Sequence, residues 1–234
     1  KVIGAGSIPR KVYCAPMFNL ETLIGAVVWI LAILLSLAIH EYAHAKYADW
    51  AGDPTPRSQG RVTLNPLAHL DPLGTALIIF MAFSGYGIGW GKPVPVNPGY
   101  FRNPRRDWVM CAFWGPLSNI ILALLFSIPL RLMLASENPL PDNVFIDFLF
   151  AMVLANIGLA VFNMIPLHPL DGSKVLSGFL RDVHDRNYWN FQIVYGPLIL
   201  FGSILILPLL GLPNPLRFIL LPARDFLVRL LLEL

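Results

Sequence analysis

The sequence predicts an all-α polytopic membrane protein, and three observations carry that prediction. Of 234 residues, 56% are hydrophobic and only 13% charged, against roughly 25% charge in an ordinary soluble domain. The mean hydropathy is +0.63. The apolar residues come in long unbroken runs rather than at the period of an amphipathic helix or a half-buried strand. Together these exclude a disordered chain, a coiled coil and a soluble α/β domain. Seventeen Lys+Arg against fourteen Asp+Glu leave a net charge of +3. That excess is too small to point to nucleic acid, and in a membrane protein it marks cytoplasmic loops. Cys14 and Cys111 share no motif, so no disulfide framework is expected.

Residues 1–17, with Lys1, Arg10 and Lys11, read as a short polar leader, and 18–234 as a single membrane-embedded domain. No A-x-A cleavage site is present, so the first apolar run, Leu20 to Tyr47, is expected to be retained. It is long enough to span, and His40, Glu41, His44, Lys46 and Asp49 follow on the same helix. The second stretch, Leu73 to Phe83, is short and runs into the breaker-rich segment Ser84 to Pro95. It either re-enters on one side or crosses with a ragged end. Trp108 to Leu134 is a clear span, and Val144 to Ile165 is another, stopped at Pro166. A fifth run covers Ile193 to Leu210 and contains Pro197 and Pro208. Leu216 to Leu234 carries Arg217, Arg224, Asp225 and Arg229 at helical spacing and reads as an interfacial amphipathic helix.

Loop charge gives the orientation. Ala135 to Asp147 holds Glu137, Asp142 and Asp147 without a Lys or Arg and is expected outside. Arg57, Arg61, Lys92, Arg102, Arg105 and Arg106, and later Lys174, Arg181 and Arg186, are expected on the cytoplasmic side. Both sets are satisfied if the short stretch after the first helix is a re-entrant or hairpin segment. Lys1, Arg10 and Lys11 then fall outside, against the larger set.

His40-Glu41-Tyr42-Ala43-His44 is an HExxH sequence. Residues four apart share a helix face, so both imidazoles can reach one metal ion. Glu41 stands beside that face, placed to take a proton from water at the metal. Ionisable groups ending an apolar span are costly, which argues for function over simple helix-end polarity. A catalytic zinc site needs a third protein ligand and an open position. Asp171, just after the run broken at Pro166, returns to the same side and is the obvious partner; its alternative is an N-cap for a helix starting near Ser173.

Three motifs in order, HExxH at 40–44, Gly115-Pro116-Leu117-Ser118-Asn119, and Asn163-x-x-Pro166-x-x-Pro169-Leu170-Asp171-Gly172, resemble the site-2 protease family of intramembrane metalloproteases. Asn65 to Gly74 and Gly89 to Pro98 are similar to its compact branch, which lacks PDZ and CBS domains. The resemblance implies a site-2-protease-like transmembrane core and one zinc ion per chain (Zn2+), held by His40, His44 and Asp171, with Glu41 as general base. It carries Gly115, Asn119 and Asn163 over as substrate-binding positions. Gly115 permits close backbone approach. Asn119 bonds either an extended substrate and its oxyanion or a neighbouring helix. Asn163 contacts either substrate or a backbone carbonyl freed near Pro166. His168, where many relatives carry a small residue or proline, reads as a solvated or supporting histidine rather than a ligand. His69 reads as a loop histidine bonded to backbone, and His184 has no partner in sequence.

The function expected is zinc-dependent hydrolysis of membrane-spanning protein or peptide substrates near the cytoplasmic side of a prokaryotic cell membrane. A transmembrane substrate must unwind to expose its carbonyls, and Gly85 to Pro98 offers a strand-like edge for it. The competing classes are a membrane metal-ion transporter and an inactive protease-like binding protein. Transport needs a path and further ligand clusters, and gives no reason for Glu41.

Overall fold

The computed structural model of the protein describes residues 20–84, 89–135, 143–180 and 182–232, with side chains for all but 182–185. The polar leader at 1–17, Gly85 to Ile88, Glu137, Asp142, Arg181 and the side chain of His184 lie outside the described residues.

In lipid a backbone must satisfy its own polar groups, and the long apolar runs do so as helices. The first run becomes α1 (Leu20–Ala51), unbroken through HExxH. The second becomes α2 (Pro72–Ser84), the third α3 (Pro104–Leu134) and the fourth α4 (Val144–Asn163). A short α5 (Asp171–Ser177) follows the proline-broken loop. Next is α6 (Asp182–Phe201), which widens into a π-helical turn at Gly202–Ile206 and ends with Leu207–Leu209. The last helix is α7 (Arg217–Leu232). Within the described residues four helical segments, Leu20–Ala51, Pro104–Leu134, Val144–Asn163 and Arg186–Leu209, are long and apolar enough to cross a membrane. Among the described residues there is no strand, only an isolated antiparallel bridge between Leu70 and Gly91. The fold is that of an all-α polytopic membrane protein.

Helices α1, α3 and α4 form the centre. One face of α1 is small, with Ala32, Ala45, Ala48 and Ser36 fully buried, which lets its neighbours come close. Its other face carries exposed Leu20, Leu23, Ile24, Val27, Leu31 and Leu35 at helical spacing, a stripe suited to lipid. Asn103 and Asn143 start α3 and α4 by accepting backbone N–H groups of Arg106 and Phe145.

The segment around α2 is re-entrant rather than crossing. Leu70 and Gly91 bridge its two ends, and Lys92 N donates to His69 O at 2.8 Å. A Cβ on Gly74 would fall 2.0 Å from Trp90 O, so the returning chain lies against the start of α2.

The fifth apolar run lies within a longer helical stretch: α6 begins at Asp182, because polar first turns continue the helix beyond the run. One expectation needs correction. The last helix is not laid in the interface. Leu231, Leu227 and Val228 of α7 pack with Leu130, Leu149, Val153 and Ile157, whereas Leu216 and Leu220 pack with Ile165 and Leu200. Thus α7 runs antiparallel to α4 along the bundle. Packing, which the charge pattern does not encode, decided its direction. Its exposed Arg224 and Asp225 pair with each other at 2.7 Å.

Candidate metal centre

The single helix from Leu20 to Ala51 puts His40 and His44 one turn apart on its buried face. Opposite them is α3, whose Gly115 has no side chain where one would collide. A Cβ there would lie 2.3 Å from His44 Nε2 and 2.8 Å from His40 Cε1. Asp171 enters from the start of α5. Leu170 occupies the N-cap position, without a side-chain bond, so Asp171 does not cap the helix but faces the histidines.

Three side-chain atoms converge. His44 Nε2 is 3.0 Å from His40 Nε2 and 3.1 Å from Asp171 Oδ2, and His40 Nε2 is 3.2 Å from that same oxygen. All three residues are buried. The other ring nitrogens are engaged. His44 Nδ1 donates to the carbonyl of Cys111 at 2.7 Å, and His40 Nδ1 donates to Asn119 Oδ1 at 2.7 Å. Asn119 must present its oxygen there, because its Nδ2 donates to Ser36 O at 3.2 Å and to Asn156 Oδ1 at 2.8 Å. With both Nδ1–H groups committed, each Nε2 turns a lone pair toward a carboxylate oxygen and toward the other ring. Three acceptors so close repel unless a cation lies between them. Bonds of about 2.0–2.1 Å to a tetrahedral zinc ion set neighbouring donors about 3.3 Å apart. The His40, His44 and Asp171 atoms therefore fit one such ion.

A cavity of about 220 Å³ opens beside the triad, lined by Glu41, Val94, Trp108, Asn163, Pro169 and Lys174 among others. Glu41 accepts the backbone N–H of Val94 at 3.2 Å. The segment carrying Val94 is fixed at both ends. Arg61 Nη2 donates to Lys92 O, and Asn97 N donates to buried Asp53 at 2.7 Å. Burial pushes the Arg61 guanidinium down from its ordinary value, with Glu41 opposing that shift.

The profile of Peptidase family M50 matches residues 126–202, which include Asp171 and its preceding motif. A Bacillus subtilis (strain 168) protein with the provisional name zinc metalloprotease YwhC is 40% identical over 150 residues, covering 63% of this chain and 66% of that one. The chain belongs to peptidase family M50. The M50 relatives include Rip2 of Mycobacterium tuberculosis (strain H37Rv), 32% identical over 156 residues (65% of this chain, 57% of Rip2), and Rip2 of Mycolicibacterium smegmatis, 30% identical over 172 residues (71% and 64%). Both carry the same provisional description. The chain thus spans between 57% and 66% of the length of these curated relatives. No solved structure matches it.

In this M50 chain the remaining anticipated positions fall as follows. Asn119 is fully buried and all its polar atoms are bonded within the helices, which is the helix-contact alternative. Asn163 lines the cavity and donates to Leu159 O at 3.0 Å on its own helix. His69 donates from Nε2 to Thr63 O at 2.8 Å and takes no part in the triad. His168 is also outside it. Its ring packs edge-on against Trp189, and burial, then Lys174, hold its pKa below the ordinary value. The segment to Asn97 shows, at the described positions, the single Leu70–Gly91 bridge rather than a strand.

Several supporting residues escape the motifs. Ser36 lies one turn before His40, and its Oγ accepts from Asn156 Nδ2 at 2.7 Å. Ser36, His40 and His44 recur every four residues, and Asn156 is an amide within an apolar span; both were available signals. Gln192 clamps the loop before Asp171, accepting His168 N at 2.7 Å and donating to Pro166 O at 2.9 Å. Tyr188 donates to Ser173 O at 2.8 Å. These contacts join distant elements and have no local sequence signature.

Proposed function

We propose that the protein is a zinc-dependent metalloendopeptidase of the site-2 type that hydrolyses peptide bonds of membrane-spanning substrates near the cytoplasmic side of a prokaryotic cell membrane. The observation that carries the reading is the convergence of His40, His44 and Asp171 atoms within 3.0–3.2 Å beside a cavity that Glu41 lines. These three residues would hold one zinc ion, which would supply Lewis-acid polarisation of a peptide carbonyl and make water more acidic.

Glu41 takes the proton of the attacking water and returns it to the leaving amine. Asn119 orients His40 through Nδ1, and the Cys111 carbonyl does the same for His44, fixing both tautomers. Gly115 leaves room for both rings. Asn163, at the cavity wall, contacts the unwound peptide. The relatives' names support the metal and the reaction class, and the bacterial sources of those relatives support the origin. The basic residues Arg57, Arg61, Lys92, Arg102, Arg105 and Arg106 support the cytoplasmic placement.

The test uses purified protein in detergent or nanodiscs with single-span substrates. Glu41→Gln should retain one zinc per chain by elemental analysis and lose proteolysis by at least a hundredfold, within the range for a proton-transfer group. Asp171→Ala should lose the metal as well. Full cleavage by either variant defeats the assignment, and metal uptake into proteoliposomes without cleavage would favour a transporter.

A further inference from the structure

Asp171 has two carboxylate oxygens, and they face different partners. Oδ2 lies 3.1 and 3.2 Å from the two Nε2 atoms. Oδ1 lies 3.2 Å from Lys174 Nζ, three residues along α5. On a surface helix such an i,i+3 pair contributes little. Here the carboxylate is only 7% exposed and the ammonium lines the same cavity as Glu41. The ammonium is also held from a second side, 5.6 Å from the centre of the Trp108 ring on α3. The ammonium is thus held by two elements, with its charge on the oxygen that turns away from the histidines.

We propose that Lys174 is a positioning residue for the metal, engaging Asp171 Oδ1 so that Asp171 offers the site a single oxygen, Oδ2. This rests on the zinc reading above. A carboxylate free at both oxygens can chelate one ion with both, which raises its coordination number and takes up the position a catalytic site keeps open. Lys174 removes that option by occupying one oxygen. An HExxH motif and an aspartate do not specify how many oxygens are offered; a cation three residues later on the same helix does.

Cobalt(II) substitution tests the inference without relying on activity, because visible absorption of the bound ion is several-fold stronger in four-coordinate than in five-coordinate sites. Wild-type protein loaded with Co2+ should give the strong four-coordinate band. Lys174→Met should give a band several-fold weaker, and Lys174→Arg should restore it. Where Lys174→Met does not purify as a single species, Lys174→Leu, which likewise carries no donor for Oδ1, takes its place with the same expected loss. A wild-type band in the neutral variant overturns the inference while leaving the zinc reading intact. Wild-type protein that takes up neither Co2+ nor Zn2+ overturns both.

Discussion

Gly115 shows how one missing atom shapes this site. Its α-carbon faces the two imidazoles so closely that a methyl group would lie 2.3 Å from His44 Nε2. Gly115→Ala should therefore displace a ring, lowering metal affinity by at least tenfold as judged by competition with a chelator. Helix content by circular dichroism should stay unchanged, since alanine is a good helix former. Asn156 acts one step further out. Asn156→Leu removes the acceptor of Asn119 Nδ2 and the donor to Ser36 Oγ, both fully buried. Asn119 Nδ2 keeps its bond to Ser36 O, but each buried hydrogen bond lost without replacement costs about 1–3 kcal/mol, so unfolding in detergent should shift measurably and metal affinity should fall about tenfold. At this scale the sequence was legible wherever chemistry needs a fixed spacing: His40 and His44 recur one turn apart, and Asp171 is the acid after the broken run. It was silent on tautomers, because Cys111 contributes a carbonyl that any residue at 111 would contribute.

At the scale of elements, the re-entrant segment around α2 decides which loops share a side. Leu70 and Gly91 are paired, so Leu64 before the segment and Tyr100 after it, both exposed, belong on one side of the bilayer. Single cysteines at Leu64 and Tyr100 should react with a membrane-impermeant thiol reagent from the same side, and labelling from opposite sides would require a crossing helix. Hydropathy left this choice open because a run of eleven to thirteen apolar residues satisfies both geometries. The close approach of Gly74 to Trp90 is a long-range contact and has no periodic trace in the sequence.

For the whole molecule, the existence of α1, α3 and α4 as long apolar helices followed from run length alone, whereas the lie of α7 did not. Arg217, Arg224, Asp225 and Arg229 gave the last helix the pattern of a surface helix, yet it buries Leu231 against Leu130 and Leu149. Leu231→Ala should destabilise the folded protein by about 2 kcal/mol, the lower end for a buried leucine. Leu230→Ala, at a position 45% exposed, should cost much less in the same unfolding assay. Equal effects would return α7 to the interface. Helix packing of this kind is a property of the assembled bundle, and no single window of sequence holds it.

The arrangement at Gly115 also governs traffic. Bare helix backbone stands directly behind the two imidazoles, so nothing can approach them through α3. The cavity beside them is lined by Pro93, Val94 and Val96 and by Pro169, Asp171 and Lys174, so water, a metal ion and a peptide would share that space. Under the proposed reaction, a peptide seated in that cavity would stand between the ion and solvent, and the ion would be held until the products leave.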